Sequence, residues 1–325
     1  MYLKSVHLKF TRPEILILLL LNVTVGQKFE GYSSAKKVVI GNAAESFAEL
    51  AANDTLSFPT SDIDLDIPTT TIKRPDAIGV VIGISKYSHA DVPRVDYARR
   101  DALLMRDYMI RGMGFSEENI IVALDGDATQ AVFNRIFGGQ LENFIKAGQS
   151  DVFVYYSGHG APDVNKSSAY FVAHDTDPNY PVQTGYSLDS FYAQLDQLQA
   201  RSVTVVLDAC FSGASDAGMV IQQASPIFIS VENPAANLKN GVVMTSSSGD
   251  QISSWYREKG HGLFTYYFLK GLRGEADRDQ DDQVTSTELY GYLMEHVPYL
   301  ARRKFNREQT PQLMGEALDQ VLVAY

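Results

Sequence analysis

The chain has 325 residues, 45% of them hydrophobic, enough for one substantial core plus an extension. Its formal net charge is −11, and without a basic stripe to neutralise phosphates a nucleic-acid role is excluded as the leading reading. Cys210 is the single cysteine, so there is no intramolecular disulfide framework and one thiol needs an explanation.

Residues 1–26 place Lys4, Lys9 and Arg12 before an apolar run at 15–25, followed by Gly26, the layout of a secretory signal. The run is shorter than the roughly 20 apolar residues that span a bilayer. Membrane contact is expected only through this segment if it is not cleaved, and the chain is expected to be secreted or periplasmic. Residues 27–75 show no sustained period and mix small and polar residues with Asp62, Asp64 and Asp66. They read as a linker or pro-segment.

From Asp76 onward the pattern becomes regular. Strands are predicted over 77–84, 119–123, 151–156, 170–173, 203–207 and 242–246, and helices over 97–111, 129–147, 188–198 and 263–271. Ala98, Ala102, Met105 and Met109 recur at three and four residues, the stripe of a helix that covers a sheet. Such alternation predicts an α/β fold, a mostly parallel central sheet with helices on both faces. Residues 214–240, with Pro226 and Pro234, interrupt it as a long connection.

Two predicted strands end in chemistry. The stretch 151–161 reads DVFVYYSGHGA and puts His159 between two glycines; the stretch 202–213 reads SVTVVLDACFSG and puts Cys210 beyond a buried run. In open sheets of this kind ligands bind beyond the carboxyl ends of the strands. A thiol is a nucleophile only as thiolate. An imidazole beside it stabilises that form, protonates the leaving amine, and then serves as base when water hydrolyses the thioester. The backbone N–H groups of Cys210 and Gly160 are the candidate donors to the developing oxyanion. Side chains two apart on a strand share a face, so Asp208 is expected in the same cleft as Cys210, where a carboxylate favours arginine or lysine before the scissile bond.

The ordered set of YYSGHG, DACFSG, PDAIGVVIGISKY, RDALLM, GHGLFTYYFLKGLRG and QTPQ resembles the caspase and metacaspase group of cysteine peptidases, in which a histidine lies about 50 residues before the cysteine. The resemblance implies a caspase-like three-layer fold over 76–325, with a large portion 76–213, a connecting loop 214–240 and a small portion 241–325. It implies a cysteine endopeptidase acting on protein or peptide substrates. Caspases that cut after aspartate carry glutamine where this chain has Asp208. In metacaspases a second aspartate and the serine two before the histidine complete a basic-residue pocket; the matching positions are Asp101 and Ser157, with Arg100 in place of the expected asparagine. The competing expectation is a catalytically silent caspase-like scaffold.

No cofactor is required for thiol chemistry. Asp277, Asp279, Asp281 and Glu288 nevertheless stand at positions 1, 3, 5 and 12 of a calcium-loop pattern, with Asp282 where glycine is usual; the alternative is an acidic turn before a capped helix. Among the remaining histidines, His174 and His261 are expected near the cleft without a catalytic role. Lys239, the one lysine or arginine in 214–240, is the expected self-cleavage point.

Overall fold

The structure is a computed structural model that describes residues 58–163, 168–211, 214–215, 218–219, 238–249 and 251–325. The expected signal segment, most of the expected linker and most of the expected connecting loop lie outside the described residues.

Six strands form the central sheet: β1 (Ile78–Gly83), β2 (Ile120–Leu124), β3 (Asp151–Ser157), β4 (Ser202–Asp208), β5 (Gly241–Thr245) and β6 (Gln312–Met314), in the order β6-β5-β4-β3-β1-β2. All neighbours pair in parallel except β5 with β6. The inner strands are apolar on both faces because both are covered. On one face Val81, Tyr155, Val206 and Met244 join the core with α1 (Ala98–Arg111), and successive residues on the other face, Val80, Tyr156 and Val205, meet α2 (Gln130–Arg135) and α3 (Leu188–Gln197). Helices α4 (Leu263–Lys270) and α5 (Ser286–Leu300) complete the first layer. This is the mostly parallel three-layer arrangement the alternation predicts. The stripe Ala98, Ala102, Met105 and Met109 is fully buried, and Gly83 lets α1 approach β1, since a Cβ there would lie 2.5 Å from that of Ala102.

Three local expectations change. The helix predicted over 129–147 stops at Arg135 and passes into a π turn, Ile136–Gln140, that contains the pair Gly138-Gly139; glycine weakens a helix interior. The strand near 170 leaves the central sheet, and Ala169–Phe171 pairs instead with Gly160–Pro162 and Tyr186–Ser187 in an antiparallel patch. Residues 58–75, expected as part of a linker or pro-segment, lie packed on the domain. A short helix, Asp62–Leu65, with Ser61 and Asp64 forming a capping box, buries its Ile63 fully. Asp62 binds Lys259, Tyr266 and Arg273. The acidic residues of this expected linker are partners for cations far along the chain.

Candidate active site

β3 and β4 run side by side with Ser157 opposite Asp208, so their carboxyl ends emerge together. Pairing persists beyond both ends, with Gly158 N–H on the Asp208 carbonyl at 3.4 Å and Gly160 N–H on that of Cys210 at 3.1 Å. His159 and Cys210 therefore line one cavity, whose walls also include Asp101, Ser157, Asp208 and Trp255. Its volume is about 30 Å³, the room of about one water molecule.

Backbone atoms hold both reactive groups. His159 Nε2 lies 2.7 Å from the Pro93 carbonyl, and because a carbonyl only accepts, Nε2 is assigned the proton of the neutral ring and Nδ1 the lone pair. The Tyr87 ring stacks on the imidazole at 5.1 Å, and its hydroxyl accepts the His159 N–H at 2.8 Å. Burial, opposed by the Pro93 hydrogen bond, pulls the His159 pKa down to about 4. The Cys210 sulfur accepts the Ser253 N–H at 2.7 Å, yet burial still pushes the thiol up to about 11. Burial therefore disfavours both the thiolate and the imidazolium in this conformation. Gln309 of the QTPQ motif, fully buried, steadies the Ser253 segment by accepting the Ser254 N–H at 2.8 Å and donating to the Ser246 carbonyl at 3.1 Å.

Gly160 departs from its expected part. Its N–H is occupied by the Cys210 carbonyl, and a Cβ there would lie 2.3 Å from the Phe211 ring. In this conformation Gly160 permits close packing, and its N–H does not face an oxyanion.

The carboxylates form the other wall. Asp208 Oδ2 accepts from the Thr265 hydroxyl at 2.6 Å, and Thr265 also meets the Tyr155 hydroxyl at 2.8 Å. Burial raises the Asp208 carboxyl to about 6; the Thr265 hydrogen bond works against this and the charge of Asp101 adds to it. Asp101 Oδ1 lies 2.5 Å from His261 Nδ1, and its Oδ2 accepts the Gly262 N–H at 2.9 Å. A side chain at residue 262 would meet both acids, with its Cβ 2.5 Å from Asp208 Oδ2 and 3.2 Å from Asp101 Oδ2. The structure thus brings Asp101, Ser157 and Asp208 to one place. It also adds Pro93, Ser253 and Thr265, which the sequence reading passed over, and sets His261, expected near the cleft, against Asp101. His261 carried a usable signal, since Gly260 and Gly262 bracket it as Gly158 and Gly160 bracket His159. His174 sits elsewhere, with Nδ1 2.8 Å from the Lys86 carbonyl.

Two outlying features were singled out by sequence. One carboxylate oxygen each from Asp277, Asp279 and Asp281 lies within 4.8 Å of the others. Asp282, standing where glycine is usual, adopts φ 64°, the left-handed turn that glycine otherwise supplies. Glu288 is engaged as a helix cap, accepting from Thr285 N–H and hydroxyl at 3.0 Å each, so both the turn-and-cap reading and the convergence of acids hold. Lys239 is exposed, but Leu238 before it is buried and its carbonyl accepts from Gly241 and Glu316. The extended, mobile setting expected for self-cleavage is replaced by a pinned turn.

A mostly parallel sheet between helical layers, with histidine and cysteine on adjoining strand ends, is the frame of the caspase class of folds. The chain belongs to the caspase domain family, which it matches over residues 77–323. Among solved structures it is similar to a Geobacter sulfurreducens protein at 15% identity and TM-score 0.53, over 76% of this chain and 97% of that one. Caspase-1 of Spodoptera frugiperda is similar at 12% identity and TM-score 0.53, over 80% and 93%. The pro-form of that caspase gives 12% and 0.51, over 83% and 97%. At these identities the structural likeness concerns the fold alone. No curated protein matches the chain in sequence.

Proposed function

We propose that the protein is a cysteine endopeptidase that cleaves peptide bonds after arginine or lysine, with Cys210 as nucleophile and His159 as acid and base. The carrying observation is the shared cavity in which this pair faces Asp208, Asp101 and Ser157. His159 Nδ1 takes the thiol proton as sulfur attacks the carbonyl carbon. The C–N bond then breaks, and the imidazolium protonates the departing amine. Water, deprotonated by the same nitrogen, hydrolyses the thioester to the carboxylic acid and returns the thiol. The cavity is too small for an arginine side chain, so substrate entry must part its walls, rehydrate the pair and ease the ionisation that burial opposes.

The cleft chemistry needs no metal. We further propose calcium at Asp277, Asp279 and Asp281 as a structural ligand, on the strength of their convergence and the turn at Asp282. Secretion or periplasmic export through residues 1–26 is part of the same reading, as are protein or peptide substrates and the absence of a nucleic-acid partner.

The test is covalent labelling with acyloxymethyl ketone peptides ending in arginine, lysine, glutamine or aspartate, read as added mass on Cys210. Labelling fastest with arginine or lysine is expected. Fastest reaction with aspartate would overturn the basic specificity. No labelling of the folded chain by any probe would favour the silent scaffold.

A further inference from the structure

Behind the cavity, five charged or ionisable side chains from four parts of the chain meet almost out of contact with water. Arg100 and Asp101 come from α1, Asp208 from the end of β4, His261 from the residue pair before α4, and Asp64 from the strap at 58–66. Arg100 Nη2 binds Asp64 Oδ2 at 2.7 Å. Asp64 Oδ1 lies 3.0 Å from His261 Nε2, and Asp101 Oδ1 lies 2.5 Å from His261 Nδ1. The His261 side chain is 0% exposed and those of Asp64 and Asp101 are 3% and 1% exposed.

We propose that His261 is a positioning residue of the basic-residue pocket, held as an imidazolium between Asp101 and Asp64 so that Asp208 is the one carboxylate left for a substrate cation. The strap at 58–66 thereby becomes part of the pocket through Asp64. This rests on the reading of the protein as a peptidase selective for arginine or lysine.

The ring's charge follows from its partners. An ionised carboxylate only accepts hydrogen bonds, so two of them on the two ring nitrogens require both nitrogens to donate, which only the imidazolium does. A neutral ring would leave one carboxylate facing a lone pair in a dry interior, at a large desolvation cost. Burial opposes the charged ring, but Asp101 and Asp64 together outweigh it and raise its pKa.

The count of charges gives the ring its role. Arg100 and His261 are two cations against the three acids Asp64, Asp101 and Asp208, which leaves a single negative charge when Asp208 is ionised. That balance suits one guanidinium or ammonium. Without His261, Asp101 and Asp208 would flank Gly262 as two like charges, and one would take up a proton. The geometry is fixed from outside the cleft, since Asp64 also accepts the Ser61 N–H at 2.7 Å within the strap's capping box. Arg100, which stands where the family resemblance expects asparagine, is used here to hold the strap. Lys259 and Arg273 fasten the strap through Asp62 and are not among the partners of His261.

The experiment uses the full chain labelled with 15N-histidine. The His261 ring, assigned by the signal lost in His261→Asn, is expected to remain doubly protonated at pH 7, above the ordinary imidazole value of 6.5. In Asp64→Asn, which keeps the shape of the strap and removes one charge, the ring should become neutral by that pH. The same variant keeps the net charge, because one acid and one cation are lost together, but leaves Asp101 and Asp208 as unshielded like charges across Gly262; it should therefore lose about tenfold in its preference for an arginine over a citrulline ketone probe, the change that corresponds to one pKa unit of altered interaction. Alkylation of Cys210 by neutral iodoacetamide, which does not sample the pocket, should stay within about twofold, a change of well under one pKa unit's equivalent. A neutral His261 ring in the wild type at pH 7, or an unchanged arginine preference in Asp64→Asn once its ring is neutral, overturns this inference and leaves the dyad standing. Failure of the wild type to prefer arginine over citrulline instead removes the basic-specificity reading and the pocket role with it, whatever the charge of the ring.

Discussion

The two walls of the cleft are built by different means. On the dyad side backbone groups predominate: the Pro93 carbonyl on His159, the Ser253 amide on Cys210, and strand pairing that outlasts both strands, joined by the Tyr87 hydroxyl on the His159 N–H. On the acidic side they are side chains, Asp208 with Thr265 and Asp101 with His261, which in turn binds Asp64. A backbone partner survives most substitutions at its own position, whereas each side-chain partner is a single point of failure. The dyad wall should therefore be sensitive at its two reactive residues and tolerant around them, while the acidic wall should be sensitive throughout.

The most severe break in this contrast is removal of a reactive group. Cys210→Ala or His159→Ala should bring peptide hydrolysis to background, because each deletes one member of a unit, with the melting transition retained. Turnover at the wild-type level in either variant would refute the dyad. On the other wall, Asp208→Asn should lower kcat/KM for arginine substrates by about 3 to 5 kcal/mol, the cost of burying an unpaired substrate cation. Alkylation by iodoacetamide at Cys210 should change little, and a parallel loss of both would mean that Asp208 supports the fold and not the substrate.

Acidity distinguishes the walls without mutation. Burial lifts the Asp208 carboxyl to about 6, so the pocket is neutralised below that pH and charged above it. Selectivity for arginine over glutamine substrates should rise as pH passes upward through about 6 and be flat in Asp208→Asn; a flat wild-type profile would remove Asp208 from substrate binding. The sign for stability is opposite: with the folded pKa above the unfolded value of 3.8, Asp208 favours the fold most below 3.8, and that contribution is lost as pH climbs through about 6.

Smaller effects probe the tolerance of the dyad wall. Tyr87→Phe keeps the stacked ring but leaves the His159 N–H without its 2.8 Å acceptor, so kcat should fall by the equivalent of about 1 kcal/mol. A loss as large as that of His159→Ala would show that the wall is not backbone-held. The smallest expected effect lies outside both walls: calorimetric titration should show calcium binding that is weakened in Glu288→Ala, with kcat unchanged. Absence of heat in the wild type would leave the acidic turn as a helix cap.

The same contrast explains what could be read in advance. Doubly apolar strands, the helical stripe of Ala98 to Met109, and glycine-bracketed His159 all leave marks in sequence, because side-chain type creates them. Asp208 was legible through its two-residue offset from Cys210. Pro93 and Ser253 act through main-chain atoms that every residue possesses, so no residue type announces them. Asp64 carries no local mark of its role, because its partners, Arg100 and His261, stand 36 and 197 positions away, and no local pattern links them. The sequence marks Gly160 beside His159, but which group its N–H meets depends on how far the β3–β4 ladder continues, a property of pairing and not of composition.

The position of β5 has one more consequence. It lies along β4 through the paired residues Gly241–Val203 to Thr245–Leu207, and it also receives β6. Severing the chain anywhere between β4 and β5 therefore removes no strand from the sheet. A protein nicked at Lys239, after the local unwinding that its pinned turn demands, would give two bands in denaturing gels yet travel as one particle in native buffer. Its halves would form a heterodimer with a continuous interior. The Ser253 amide belongs to the later fragment and the Cys210 sulfur to the earlier one, so from that moment the reactivity of the thiol would be shared between two polypeptides.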